Sequence, residues 1–226
     1  MRISRPPNDE RQVNDPLLQR AFEPDDGPAA DETSERILEA ALSQFEAFGL
    51  RRSTIEDVAR RLGIGRVTIY RRFPRKELLI EAVILRELRK FLAELERAVA
   101  PYATTDDRLV EGFAFTLGFL REHTLLNRLL STEPESLLPF LTIEGGPLLG
   151  AARRFLAERL GQEVEQGRLP PLDVEVAGEV LARLVLSYVL TPDSAARLET
   201  PEDARRFARR YLAPPLHLGE RALRIG

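Results

Sequence analysis

Apolar residues recur at helical spacing from Thr33 onward: Ile37, Leu38, Ala41, Leu42, Phe45 and Phe48 share one face, and Gly49 follows as a stop. The pattern predicts a first amphipathic helix of about 15 residues. Ser53 stands three residues before Glu56, a capping-box spacing that predicts a second, short helix with Ile55, Val58, Ala59 and Leu62 facing inward. Gly63 ends that helix. A third is expected from Gly65 or Arg66 to Phe73, where Pro74 disfavours helical geometry in the residue before it. A fourth, longer helix then runs from about Arg75 towards Val99.

Beyond Pro101 the period stays helical and no strand-like alternation appears, so the expected fold class is all-α. Helices are predicted over 106–123, 125–131, 135–143, 147–166, 174–191 and 201–212, with proline and glycine at the joints. Thr200, Pro201 and Asp203 form a strong helix start: a capping hydroxyl, proline in the first turn and an acid at the positive dipole end. No internal repeat of fixed period is present.

The 226 residues, 43% hydrophobic and 31% charged, describe a folded chain rather than a disordered one. There is no cysteine, which excludes disulfides, thiolate metal sites and a cysteine nucleophile, and fits the cytoplasm. The first dozen residues lack the apolar core of a signal peptide, and no stretch approaches a membrane span, so no membrane partner is expected. Residues 1–32 are acidic and carry five prolines, and are read as a flexible leader with a short helix conceivable over 17–22. The alternative is a basic arm in which Arg2, Arg5 and Arg11 enter a minor groove.

Charge changes the picture through its distribution. The net charge is −3, yet residues 33–79 carry 10 basic and 6 acidic side chains, and the run from Arg60 to Lys76 holds 7 basic residues and no acid. That run offers a local field for a polyanion. It coincides with TIEDVARRLGIGRVTIYRRF, beginning at Thr54. Two short helices that cross steeply need a small residue at the approach, a turn residue free to take positive φ, and apolar residues that lock the pair. Ala59, Gly63, and Val58, Leu62, Ile64 and Ile69 supply these in turn, so the segment reads as a helix-turn-helix.

With Ile69 and Phe73 pinned inward, Arg66, Val67 and Arg71 are expected to face out. They are the base-reading candidates, since arginine can donate two bonds to guanine and an aliphatic group can touch the thymine methyl. Thr54, Thr68, Tyr70, Arg72 and Lys76 offer hydroxyls and cations for the backbone, where contacts position without specifying.

The stretch from Thr33 to about Leu79, above all GIGRVTIYRRFPRKELL from Gly63, resembles the N-terminal domain of the TetR family of bacterial regulators. Tyr70, Phe73 and the pair Lys76-Glu77 carry the likeness. The resemblance implies a three-helix DNA reader over 33–79, a fourth helix joining it to a ligand-binding and dimerisation body over 80–226, and a homodimer on a palindromic operator in double-stranded DNA. Where the family often has serine at the start of the reading helix and serine or asparagine before the lysine, this chain has Gly65 and Arg75. A phosphate-bonding hydroxyl and a helix cap are thereby missing.

The body carries less information. Phe113, Phe115, Phe119, Phe140, Phe155 and Tyr188 fall on predicted helices; such aromatics are ordinarily core, and the sharper expectation is that some line an apolar cavity for a small effector. The candidate pocket set is Phe113, Leu117, His123, Phe140, Phe155 and Tyr188. His123 reads either as a polar fixture in that pocket or as a partner of terminal helix carbonyls. Val176, Val180 and Leu184 on one helix, with Phe207 and Tyr211 on the next, are the candidate dimer surface by the family resemblance, though alone they read equally as core. Two readers about one DNA turn apart supply the specificity that one short helix lacks.

The sequence has no catalytic elbow, zinc-protease motif or phosphate loop, and its two histidines make no metal site, so neither an enzyme nor a cofactor is expected. The expected function is a ligand-responsive regulator, a repressor released by a small apolar or amphipathic effector. The alternatives are an activator of the same fold and a nonspecific DNA-binding protein.

Overall fold

The computed structural model describes residues 32–217, and all the regular structure in that span is helical. All of the leader but Glu32, including its conceivable helix and its arginines, lies outside the described residues. Four helices open the chain: α1 (Glu32–Arg52), α2 (Ile55–Leu62), α3 (Arg66–Arg72) and α4 (Lys76–Val99). Then follow α5 (Thr105–Glu122), α6 (Thr124–Thr132), α7 (Pro134–Leu141), α8 (Gly146–Glu165) and α9 (Val174–Leu190). The last segment is α10 (Pro201–Phe207), a π-helical turn (Ala208–Leu212) and α11 (Ala213–Leu216).

Two local expectations are corrected. Ser53 does not cap α2: its hydroxyl is buried and donates to the carbonyl of Gly49 at 2.6 Å. The capping box belongs to Thr54 and Asp57 instead, with the Asp57 N–H donating to Thr54 Oγ1 at 3.2 Å and the Thr54 N–H to Asp57 Oδ2 at 3.0 Å. The Thr54 hydroxyl, donating to Asp57 Oδ2 at 2.6 Å, and then the Thr54 N–H hold the Asp57 carboxyl below its usual range. Helix α1 also does not stop at Gly49. The chain kinks there at φ 81° and resumes one more turn to Arg52.

A first core gathers Ile37, Leu38 and Phe45 of α1, Val58 of α2, Ile69 of α3 and Leu79 of α4, each 4% exposed or less. Leu125 and Leu129 of α6 belong to the same core. The only long covalent link between the reading segment and the body, α4, is therefore joined by a second, packed connection. A second core lies between α5, α8, α9 and the C-terminal helices, around Val110, Leu117, Leu160, Leu181, Leu198 and Ala208. Gly178 permits a close crossing in it, because a Cβ there would stand 2.9 Å from the carbonyl oxygen of Arg153. The C-terminal helix is clamped to α5 by Arg205, which donates to Glu111 at 2.5 and 3.2 Å, and by His217, whose Nε2 lies 2.6 Å from Asp106 Oδ1.

Candidate nucleic-acid interface and effector cavity

Gly63 caps α2 in the left-handed region, φ 66°, and its N–H together with that of Ile64 returns to the α2 carbonyls. This sharp turn swings α3 across α2, with Ile69 fully buried beneath it. What remains of α3 faces solvent: Val67 is 73% exposed, and Arg66, Tyr70 and Arg71 are exposed beside it. Thr54 is exposed at the α2 start and Thr68 is half-buried. Five of the eight predicted contacts are engaged within the protein: Thr54 in the α2 cap, Arg66 and Tyr70 with Glu56, and Arg72 and Lys76 with α1. Arg72 donates through Nε to Ser34 Oγ of α1 at 3.2 Å, and Lys76 Nζ reaches the carbonyl of Arg51 at 3.5 Å. Neither Gly65 before α3 nor Arg75 before α4 supplies a side-chain cap.

Glu56 is the residue that sequence reasoning missed here. With the capping role taken by Asp57, its carboxylate lies 3.4 Å from the Tyr70 hydroxyl and 3.9 Å from Arg66 Nη1. It braces two residues of the exposed helix and offsets part of their positive field. Spacing gave no clue, because the contact crosses between helices. Gln44 of α1 plays a comparable part for Arg61, accepting two bonds at 3.1 and 3.3 Å.

In the body, α4 to α9 line a partly open cavity of about 800 Å³. Its wall is overwhelmingly hydrocarbon. Of the predicted pocket residues, Phe113, His123 and Phe155 line it, whereas Leu117, Phe140 and Tyr188 do not. Leu117 is buried in the second core, Tyr188 packs edge-on against Phe207 at 5.5 Å between centroids, and Phe140 is 60% exposed. Along α4 the lining includes Phe91, Leu92 and Leu95, which helical spacing alone could not tell from ordinary core. Phe91 and Phe119 lie 5.1 Å apart, and Phe119 leads to His123 at 5.6 Å.

His123 does not bond to the carbonyl end of a helix. It caps the start of α6, its Nδ1 accepting the Leu126 N–H at 3.2 Å. The proton of the ring is thereby assigned to Nε2, which lies 3.5 Å from Glu87 Oε2. This bond, more than the cations around it, holds the Glu87 carboxyl below the usual range. At the other end of the cavity Glu163 is almost fully enclosed. Arg168 donates to it at 2.6 and 2.7 Å, Arg108 at 3.1 Å, and the Thr105 hydroxyl completes its shell. Its pKa falls to about 2, chiefly through Arg168.

The candidate dimer residues divide. Val176 and Val180 of α9 are 54% and 51% exposed, and Tyr211 of the π-helical turn is 55% exposed. Leu184 and Phe207 are half-buried, Phe207 stacking on Phe113 at 5.7 Å. Exposed valines and an exposed tyrosine of this kind are features of association faces.

The family of bacterial regulatory proteins named for tetR matches residues 37–83, and the C-terminal domain of bacterial tetracycline repressors matches residues 105–210. The chain belongs to the TetR family. This TetR-family protein is 31% identical over 137 residues to the uncharacterized HTH-type transcriptional regulator Rv2250c of Mycobacterium tuberculosis, covering 58% of this chain and 69% of that one. It is 22% identical over 153 residues to the regulator YhgD of Bacillus subtilis, covering 68% and 80%. Among solved structures, the TetR family repressor AlkX from Dietzia superposes with a TM-score of 0.59 at 23% identity, over 85% of this chain and 99% of that one. The fatty acid degradation regulator FadR from Bacillus halodurans gives 0.57 at 16%, over 80% and 97%. These likenesses agree on an all-α fold with an N-terminal helix-turn-helix. The TetR-family chain is a DNA-binding transcriptional regulator, as its relatives are, and not an enzyme. Among its described residues no helix is long and apolar enough to cross a membrane, and no group of histidine and acidic residues is placed to hold a metal ion.

Proposed function

We propose that this regulator is a repressor that binds a palindromic operator as a homodimer in the cytoplasm and is released by a small apolar or amphipathic effector. Residues 33–79 form the reader and 80–226 the effector-binding and dimerisation body. The reading contacts are Arg66, Val67 and Arg71, with Thr54, Thr68, Tyr70, Arg72 and Lys76 on the backbone. The observation that carries this reading is a shared wall: Leu125 and Leu129 of α6 line the cavity and also belong to the core beneath the reader. A ligand that repacks α6 must disturb the seat of α1, and by reciprocal linkage DNA must disfavour that ligand. Val176, Val180 and Tyr211 support a dimer through α9 and the C-terminal segment.

The test begins with operator DNA recovered by selection from random duplexes. The full chain should bind it as a dimer, with a half-site spacing of about one DNA turn. An effector bound in the body should weaken that complex by at least about fivefold. Selection that returns no sequence, or a tightly bound effector that leaves operator affinity unchanged, would refute the proposal. The activator reading is distinguished by transcription from the selected operator, which a repressor lowers.

A further inference from the structure

The cavity wall carries charge at three places, and each charge is already answered inside the protein. Glu163 is held by Arg168, Arg108 and Thr105. Arg159 pairs with Glu96 at the rim, where both side chains are about half exposed. Glu87 sits deeper, its side chain 12% exposed, with His123 at 3.5 Å and Arg86 at 3.3 Å. Arg86 gives its shorter bond, 2.9 Å, to Glu35 of α1. Glu87 is thus the enclosed carboxylate with the longest bonds, and the one with acceptor capacity to spare.

The shape adds a second constraint. Lining residues of α4 and its C-cap run from Ile84 to Ala100, a span of about 24 Å at helical rise. A hydrocarbon wall of that length suits one extended chain. Glu87 lies near its Ile84 end, one turn along α4.

We propose that the effector is an uncharged, long-chain hydrocarbon molecule bearing a hydroxyl group, which donates to Glu87 while the chain extends towards Val99. The inference rests on the reading of this cavity as the effector site. An anionic head group would meet the ionised Glu87 at one end of the cavity or Glu163 at the other, and would find both lining arginines already bonded to glutamates. Loss of its water would then go uncompensated. A cationic head would add to Arg86 and Lys90, which already balance Glu87. A hydroxyl needs neither exchange. It gives Glu87 a donor closer than its present ones and leaves the hydrocarbon wall to the chain.

The experiment compares three molecules of equal chain length: dodecan-1-ol, dodecanoate and dodecyltrimethylammonium. Each displaces a neutral fluorescent probe, 1-aminoanthracene, from the full-length protein at pH 7. Dodecanol is expected to bind about tenfold or more tighter than either ion. In Glu87→Gln, dodecanoate should gain and dodecanol should weaken, closing the gap severalfold, while Ala152→Phe should exclude all three. Dodecanoate or the ammonium binding as tightly as dodecanol overturns the proposal, as does failure of dodecanol to bind; the wild-type order decides this even if a variant does not fold. A Glu87→Gln protein that folds but keeps the original gap also overturns it. Release from the selected operator is measured separately. If dodecanol binds in the expected order without releasing DNA, the ligand class stands and the effector reading falls; if an ion binds best and releases DNA, the reverse holds.

Discussion

Glu133 lays its carboxylate against Gly49, so closely that a Cβ on the glycine would stand 1.9 Å from Glu133 Oε1. The buried acid accepts the Arg51 N–H at 3.2 Å, two residues beyond the kink, while Arg51 itself pairs with Glu135 at 2.5 Å. The joint between α6 and α7 is thereby fastened to the end of α1. Gly49 serves both needs, since φ 81° disfavours any side chain and the acid occupies the space where one would go.

Gly49→Ala should therefore lower stability by about 1–3 kcal/mol, from left-handed strain and from the displaced bond to Arg51. Urea unfolding of the full chain measures it. A change under about 0.5 kcal/mol would show that the contact is incidental.

In the reader, Arg71→Ala should relax preference at about one base position at a cost of roughly 1–3 kcal/mol, because the residue is exposed and free to meet a base edge. Lys76→Ala should weaken all sequences alike and flatten the salt dependence. Anisotropy titrations on matched and single-mismatch duplexes at several salt concentrations separate the two. Equal effects on every duplex would end this division of labour.

Removing the brace should act in the opposite sense. Glu56→Gln frees Tyr70 and Arg66 from an acid 3.4 and 3.9 Å away, and so should tighten binding to random DNA more than to the operator. The ratio of the two affinities is the readout, expected to fall by a few fold; a ratio that rises would show that Glu56 acts against specificity.

Acid should unfasten the body through Glu163. Its carboxyl titrates near 2 in the folded protein against 4.5 ordinarily, so its stabilising effect is complete above about pH 4.5 and disappears as the pH falls through 2. Allowing for solvent around the arginines, that effect is about 1–2 kcal/mol. Glu163→Gln should be destabilised by this much at pH 7, with the difference shrinking between pH 4.5 and 2. Denaturant melts across that range check the sign as well as the size.

Val180→Asp should leave the folded monomer intact, because the side chain is half exposed on α9, yet disrupt association. Sedimentation should show a dimer for the parent chain and a monomer for the variant, together with a large loss of operator affinity. A variant that stays dimeric would place the interface elsewhere.

The sequence by itself determined the helices, the turn at Gly63 and the outward face of α3. All three follow from spacing within one helix, or from one residue's backbone freedom, which the chain carries locally. Helix ends were also legible to within a few residues, but the choice between Ser53 and Thr54 as cap was not. Both hydroxyls sit at the boundary, and only packing against Gln44 and Gly49 draws Ser53 inward. Tertiary structure alone decided which aromatics face a cavity and which fill core. Phe113 and Leu117 lie one helical turn apart on α5, yet only the first lines the cavity, because that depends on where α4 and α8 stand. It alone also set Glu56 beside Tyr70, Glu133 over Gly49 and His123 beside Glu87, since each pair joins residues of different segments and their meeting depends on the packing angle, which no single segment encodes.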